Sequence, residues 1–83
     1  MNQVYWVYIL KSLKDQKYYI GQTNNLEHRL AQHNSGKVRA TKHRTPFVLV
    51  YKEKCYSTEE AIKREKFLKT HKGYNYLKRL GFY

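Results

Sequence analysis

The run VYWVYIL, residues 4–10, constrains the fold more than any other segment of the chain. Both of its alternating faces are apolar or aromatic, which is the pattern of a strand that is covered on both sides. A second β-favouring run, KYYIG at residues 17–21, follows after a polar loop of about six residues, so the two runs are predicted to form a hairpin.

The spacing of the apolar residues changes to a helical period after this hairpin. Leu26 and Leu30 lie one turn apart, and Asn24 with Glu27 three residues later resembles a capping box. These features predict a helix over residues 24–34.

The second half of the chain shows signals for one strand and one or two helices. Residues 47–51, FVLVY, predict a third strand, and the S-x-x-E sequence at residues 57–60 predicts the start of a helix that runs to about Thr70. Gly73 is expected to break this helix, and residues 74–80 to form a last short one. The predicted order is β-β-α-β-α with a third helix, an α/β chain in which helices flank a small sheet.

The net positive charge of the chain indicates which kind of molecule it binds. Seventeen Lys and Arg against six Asp and Glu give a net charge of +11, which disfavours a compact fold unless an anionic partner neutralises it. Nucleic acid is the obvious partner. Because 41% of the residues are hydrophobic and 16% aromatic, a packed chain is expected rather than a disordered polycation. At 83 residues we expect one domain over residues 1–83.

Several other classes of protein are excluded by the sequence. The single Cys55 cannot form an intramolecular disulfide, and four His with one Cys lack the spacing of a zinc site. The longest apolar run is about a third of a membrane span, with no signal-peptide pattern before it. A cytoplasmic protein without membrane contact is therefore predicted.

Charged side chains fall on helix faces that should be buried. Arg29 and His33 share the side of the apolar residues in the first helix. In the second helix, Glu65 projects between Ala61 and Ile62, with Leu68 close by. Burying an isolated charge is costly. Either Glu65 pairs with Arg29 or another cation, or Arg29 and Glu65 both line a cleft where a ligand and water complete their coordination.

Nine tyrosines are many for a chain of this length. Tyr8 and Tyr19 lie in the two predicted hairpin strands, where same-face neighbours would bring their hydroxyls together. Gly21 lacks a Cβ and so either serves a turn or lets a phosphate or side chain approach closely. Tyrosines also pack well in strands, and this ordinary role is expected for Tyr5, Tyr18, Tyr51 and Tyr56. For some of these, stacking on bases is an alternative.

These residues together resemble the GIY-YIG nuclease domain. The resemblance is carried, in order, by Trp6-Val7-Tyr8, Tyr19-Ile20-Gly21, Arg29, His33-Asn34 and Glu65. Its most specific part is YIGQTNNLEHRLAQHNSG, and TPFVLVYKE with EEAIKREKFLK is similar to the third strand and catalytic helix of small bacterial stand-alone members. The resemblance covers almost the whole chain and departs at Trp6, where the motif has Gly.

The resemblance implies an α+β fold and a chemistry. The expected fold is a three-stranded antiparallel sheet flanked by helices, and the expected activity is endonuclease hydrolysis of phosphodiesters in DNA with one Mg²⁺ or Mn²⁺. Carried over to this chain, the resemblance makes Tyr8 the general base and Tyr19 the residue that positions the water or the phosphate. Arg29 would neutralise charge and Glu65 would bind the metal. His33 matches a site position that is often polar in related members.

Affinity is predicted to come from basic side chains that contact phosphates without reading sequence. Lys63 and Lys66 are better explained as part of a solvent-exposed helix face than as phosphate contacts. The predicted contacts are Lys37, Arg39, Lys42 and Arg44 in the basic loop and Lys69 in the second helix.

Alternatives stay open for substrate and function. Branched or damaged DNA is a candidate substrate and RNA an alternative, with specificity supplied by the loops, a homodimer or a partner protein. A catalytically weak or inactive nucleic-acid-binding module would not need the intact Tyr8, Tyr19, Arg29 and Glu65. A basic structural or ribosome-associated protein would have no use for an inward Glu65.

Overall fold

One sheet and three helices make up the described part of the chain, which in this computed structural model is residues 4–82. In order, the elements are β1 Tyr5–Ser12, β2 Tyr18–Thr23, α1 Leu26–Asn34, β3 Phe47–Cys55, α2 Thr58–Leu68 and α3 His71–Arg79. The strands are antiparallel in the order β2-β1-β3. The predicted element order and the three-stranded antiparallel sheet are confirmed. None of the helices within residues 4–82 is long and apolar enough to cross a membrane.

The central strand β1 buries side chains on both of its faces. Val7 and Ile9 pack against residues of α2 and α3 on one face. Tyr8 and Leu10 belong to a second cluster on the other face, against which leucines of α1 pack. This double burial explains why the sequence of β1 is apolar at successive positions.

The first helix begins later than its sequence signal predicts. Asn25, not Asn24, is the N-cap, and its side chain accepts a hydrogen bond from the backbone N–H of His28. The predicted Asn24 and Glu27 capping box is therefore wrong. In α2, by contrast, Ser57 accepts from the backbone N–H of Glu60 as predicted.

The third strand is longer than its apolar run. The sequence signal ends at Tyr51, whereas β3 continues to Cys55 and pairs with β1 from Phe47 to Cys55, with a bulge at Val50 opposite Ile9 and Leu10. Lys52 and Lys54 are exposed and Glu53 is half-buried, so the alternation of an edge strand persists through charged residues. Two lysines thereby become part of the sheet.

Gly73 does not break a helix. It lies in the first turn of α3, where its backbone N–H donates to the side chain of Thr70, the N-cap. A Cβ at Gly73 would lie 2.5 Å from Leu68 Cα and closer still to the carbonyl oxygen of Phe67. The glycine is needed because α3 packs directly on the backbone at the end of α2, and the cap at Thr70 separates the two helices.

Gly73→Ala should destabilise the chain. An alanine at an open helix position would be favoured by roughly 0.5 to 1 kcal/mol, but here overpacking should cost about 1 to 3 kcal/mol. Urea unfolding measures the sign. Lys72→Ala, at an exposed position of the same turn, should change stability by less than about 0.5 kcal/mol. A Gly73→Ala chain as stable as wild type would contradict the close packing of α3 on α2.

Candidate active site

Tyr8 and Tyr19 meet on the sheet face that packs against α1. Tyr8 pairs with Gly21 and Tyr19 with Leu10, so the two tyrosines are diagonal neighbours on one face. Their ring centroids lie 6.4 Å apart. The strand register thus brings the two rings close together on one face.

Gly21 makes room for the phenol of Tyr8. It lies within β2, and a Cβ there would be 2.6 Å from the hydroxyl oxygen of Tyr8 and 2.7 Å from its Cζ. The close approach left open by the sequence is therefore that of a side chain, and a turn is not the reason for this glycine.

A chain of hydrogen bonds leads from the hydroxyl of Tyr8 through His33 to Thr41. The Tyr8 hydroxyl lies 3.0 Å from His33 Nε2, and His33 Nδ1 lies 2.8 Å from Thr41 Oγ1. Thr41 can donate to the carbonyl of Val38 through a long bond of 3.5 Å. We therefore assign the ring proton of His33 to Nδ1, which leaves Nε2 to accept from Tyr8. Thr41, in the loop before β3, carries no sequence signal for this role.

Burial keeps the imidazole of His33 neutral. It lowers the pKa of His33 to about 4, and the positive charge of Arg29 acts in the same direction. Both His33 and Thr41 are fully buried. A neutral imidazole at physiological pH is able to accept a proton at Nε2.

Arg29 joins the two tyrosines from α1. Its hydrogen bond to the hydroxyl of Tyr8 raises the pKa of Arg29, and a further bond to Tyr19 contributes in the same direction. A third bond runs from Arg29 Nη1 to Gln32 Oε1, at 3.2 Å. Arg29 is thus a permanent cation whose charge acts on both phenols from α1.

Burial raises the pKa of Tyr8, although the hydrogen bond and charge of Arg29 oppose that shift. The charges of Tyr19 and Glu65 raise the pKa of Tyr8 further. The phenol of Tyr8 therefore resists ionisation in the free chain, because it is only 1% exposed and desolvation outweighs the nearby cation.

Glu65 binds Lys69 instead of Arg29. Its Oε2 lies 3.0 Å from Lys69 Nζ, one helical turn further along α2. The ion pairs among residues 4–82 are Asp15 with Arg44, Glu53 with Arg64, and Glu65 with Lys69. The specific pair of Arg29 and Glu65 is therefore not formed, and the other cation that the sequence analysis allowed as a partner of Glu65 is Lys69.

The carboxylate of Glu65, whose charge acts on Tyr8, is suited to one hydrated divalent cation. Within the described range, no three His, Cys, Asp or Glu side chains are grouped closely enough to hold a metal ion. A single carboxylate suits Mg²⁺, which keeps several waters and takes phosphate oxygens as further ligands. Glu65 would hold such an ion in exchange for its bond to Lys69.

The basic loop is anchored at two buried positions and presents its cations outward. Val38 and Thr41 are buried, whereas Lys37, Arg39 and Lys42 are exposed. Arg44 differs from these three. Its Nε lies 2.7 Å from Asp15 Oδ2, and this hydrogen bond lowers the pKa of Asp15 to about 2. Arg44 thereby ties the loop to the turn between β1 and β2.

Comparison with known proteins identifies the family. The model of the GIY-YIG catalytic domain matches residues 4–77, a range that holds all five site residues. The chain belongs to the GIY-YIG family. This is a nuclease family, whose members generally use a divalent metal.

Similar proteins of the family carry names that state no substrate. The UPF0213 protein SH2523 of Staphylococcus haemolyticus is 49% identical over 67 residues, which is 80% of this chain and 80% of that protein. The UPF0213 protein OB0043 of Oceanobacillus iheyensis is 40% identical over 83 residues, 99% of this chain and 95% of that protein. The solution NMR structure of the UPF0213 protein BH0048 from Bacillus halodurans matches with a TM-score of 0.55 at 34% identity, covering 94% of this chain and 85% of that one.

The stability of the chain should fall as the pH is lowered from 6.5 to 4. In this window the unfolded His33 takes up a proton that the folded chain does not, because its pKa drops from 6.5 to about 4 on folding. The loss should reach about 3 kcal/mol below the lower value. Urea unfolding at a series of pH values measures it.

His33→Gln should remove this part of the pH dependence, and His28→Gln, at an exposed position of the same helix, should retain it. Equal pH dependence of the wild type and the His33→Gln variant would contradict the neutral, buried state of His33.

Proposed function

We propose that the chain is a single-domain endonuclease that hydrolyses phosphodiester bonds in DNA with one Mg²⁺ or Mn²⁺. The observation that carries this proposal is the hydrogen-bonded group around Tyr8. A neutral acceptor, His33, lies on one side of its hydroxyl, and a permanent cation, Arg29, on the other. Such a group can move a proton away from an attacking water while it neutralises the charge that forms.

Tyr8 needs a proton acceptor of its own because burial raises its pKa. His33 Nε2 serves that purpose at 3.0 Å. As the water gives a proton to the oxygen of Tyr8, the hydroxyl proton of Tyr8 moves to His33 Nε2. The resulting hydroxide forms a bond to phosphorus, the bond to the leaving oxygen breaks, and the alkoxide takes a proton from solvent. Tyr8 thus relays the proton that His33 finally holds.

Arg29 has to move for water to reach Tyr8. The phenol is only 1% exposed, and Arg29 donates to its oxygen in the free chain. A bound phosphate would draw the guanidinium away from Tyr8 and free one lone pair for water. Arg29 would then neutralise the phosphate in the transition state. The hydroxyl of Tyr19, also bonded to Arg29, would position the phosphate or the water.

Glu65 is the proposed metal ligand. A divalent cation held there would neutralise a phosphate oxygen and the leaving alkoxide. Lys69 would exchange the carboxylate of Glu65 for a phosphate. Since its ion pair is partly exposed, with the side chain of Lys69 52% exposed, this exchange should cost little.

The remaining basic side chains supply affinity without sequence selection. Lys37, Arg39 and Lys42 are exposed and ready to contact phosphates. Arg44 would first have to leave Asp15. Preference for branched or damaged DNA would come from the loops, a second copy or a partner protein.

A nucleic-acid-binding module with little turnover is the second candidate. One contact favours this function: the ammonium of Lys69 is hydrogen-bonded to the carboxylate of Glu65, which the metal would need as its ligand. Metal-dependent cleavage separates the two functions.

Cleavage should require a divalent metal and the hydroxyl of Tyr8. The experiment is incubation of the chain with labelled single-stranded, duplex and branched DNA, and with RNA, in Mg²⁺, Mn²⁺ or EDTA. Tyr8→Phe should slow cleavage by about 10² to 10⁴. It should also cost roughly 1 to 3 kcal/mol of stability, because Nε2 of His33 loses its partner. Tyr8→Phe protein that is folded and cleaves at the wild-type rate would show that the phenol only packs.

Glu65→Gln should abolish most cleavage and leave binding intact. The change removes the charge that would hold the metal, whereas loss of a partly exposed helical ion pair should cost only about 0.3 to 0.5 kcal/mol. Cleavage, melting temperature and DNA affinity should be measured on one preparation. Glu59→Gln, an exposed change in the same helix, is the matched control. Wild-type cleavage by Glu65→Gln would exclude Glu65 as the metal ligand.

A further inference from the structure

The sheet face that carries Tyr8 is covered at one end only. The leucines of α1 pack on the cluster that contains Leu10 and Leu49, which pair with each other across β1 and β3. Further along the same face, Tyr8 pairs with Lys52 and Trp6 pairs with Lys54. Trp6 belongs to neither core cluster found in residues 4–82. Because Trp6 is half-buried while Lys52 and Lys54 are exposed, this is the open half of the face, and the indole lies on it two residues from Tyr8.

Two lysines lie over aromatic rings on this open half. Lys52 Nζ lies 5.1 Å from the ring centroid of Trp6, and Lys54 Nζ lies 5.7 Å from that of Tyr56, a residue that is 67% exposed. Neither lysine takes part in the ion pairs formed within the described residues. The surface thus alternates cations with aromatic faces, which is the composition of sites that bind single-stranded nucleic acid.

We propose that Trp6, with Lys52 and Lys54, forms a platform on which an unpaired nucleobase of the substrate stacks, next to the phosphate that is hydrolysed at Tyr8. The inference rests on the proposed nuclease function and adds a substrate class to it: nucleic acid with an unpaired nucleotide at the cleavage point. On binding, the base replaces the ammonium of Lys52 over the indole, and that ammonium turns to a flanking phosphate.

Geometry along β1 supports this arrangement. Residues two apart on a strand point to the same face and are separated by roughly 7 Å. A phosphate held at Tyr8 therefore places its own or the adjoining base within reach of Trp6. In a continuous duplex that base is paired and stacked on its neighbours, so its face is not available to the indole. The family motif has Gly where this chain has Trp6. The platform gives this difference a function, since glycine has no ring on which a base can stack.

Trp6 is itself the probe for a direct test, because it is the only tryptophan in the chain. In EDTA, which prevents cleavage, a short single-stranded oligonucleotide should quench the fluorescence of Trp6 as it binds. The same strand with abasic nucleotides, at equal occupancy measured by anisotropy, should quench much less, and so should a fully paired duplex. Equal quenching by the normal and abasic strands would overturn the platform, and this comparison needs no variant.

Substitutions test the contribution of the ring and of the lysine. Trp6→Leu should weaken binding of the single strand by roughly 5- to 150-fold, the range expected for one stacked base, and Trp6→Phe should restore part of it. Lys52→Met should lower the slope of log affinity against log salt by about 0.7. Lys78→Met, on α3 behind the opposite face of the sheet, should leave that slope unchanged. A Trp6→Leu chain that is folded and binds single strands like wild type would overturn the proposal.

Cleavage assays separate this inference from the proposed function. If the wild type cleaves unpaired substrates but Trp6→Leu cleaves them with the same preference over duplex, the platform is wrong and the nuclease function stands. If base-dependent quenching is observed while no substrate is cleaved in Mg²⁺ or Mn²⁺, the platform stands as a binding site and the nuclease function is wrong.

Discussion

The hydrogen bond between Tyr8 and His33 is the contact on which the rest of the site depends. It joins the central strand to α1 and, through Thr41, to the loop that carries the exposed cations. All three side chains are buried, so removing any one leaves a polar partner unsatisfied, at a cost of roughly 1 to 3 kcal/mol. Fold and chemistry therefore share the same atoms, and a change in this chain of hydrogen bonds affects both.

Burial creates a difficulty that the neighbours of Tyr8 resolve. A phenol that is 1% exposed resists ionisation, which works against a role as base. The same burial keeps His33 neutral, and a neutral imidazole is the group able to take the phenolic proton. In the proposed reaction, Arg29 would then stabilise negative charge on either the phenol or a phosphate. Desolvation thus makes Tyr8 a poor base and keeps His33 neutral, so that His33 is able to accept a proton.

Sequence patterns predict the elements and part of the site, but not its internal contacts. Alternation and helical spacing place Tyr8 beside Tyr19 and turn Arg29 inward, because these follow from local geometry. The helical wheel gives a direction without a distance, so it wrongly allowed Arg29 to pair with Glu65. Contacts made through the tertiary fold had no signal: the bond of Thr41 to His33, the tie of Arg44 to Asp15, the packing that requires Gly73, and the extension of β3 through charged residues.

That extension of β3 decides how the positive charge is presented. Arg44, Arg64 and Lys69 are each held by a carboxylate, whereas Lys52 and Lys54 lie over aromatic rings. At an exposed site a ring holds an ammonium by only about 0.5 to 1 kcal/mol. A lysine in that position can exchange its ring for a phosphate without breaking an ion pair. The open half of the Tyr8 face, like the basic loop with Lys37, Arg39 and Lys42, can therefore take up a nucleic acid without the loss of an ion pair.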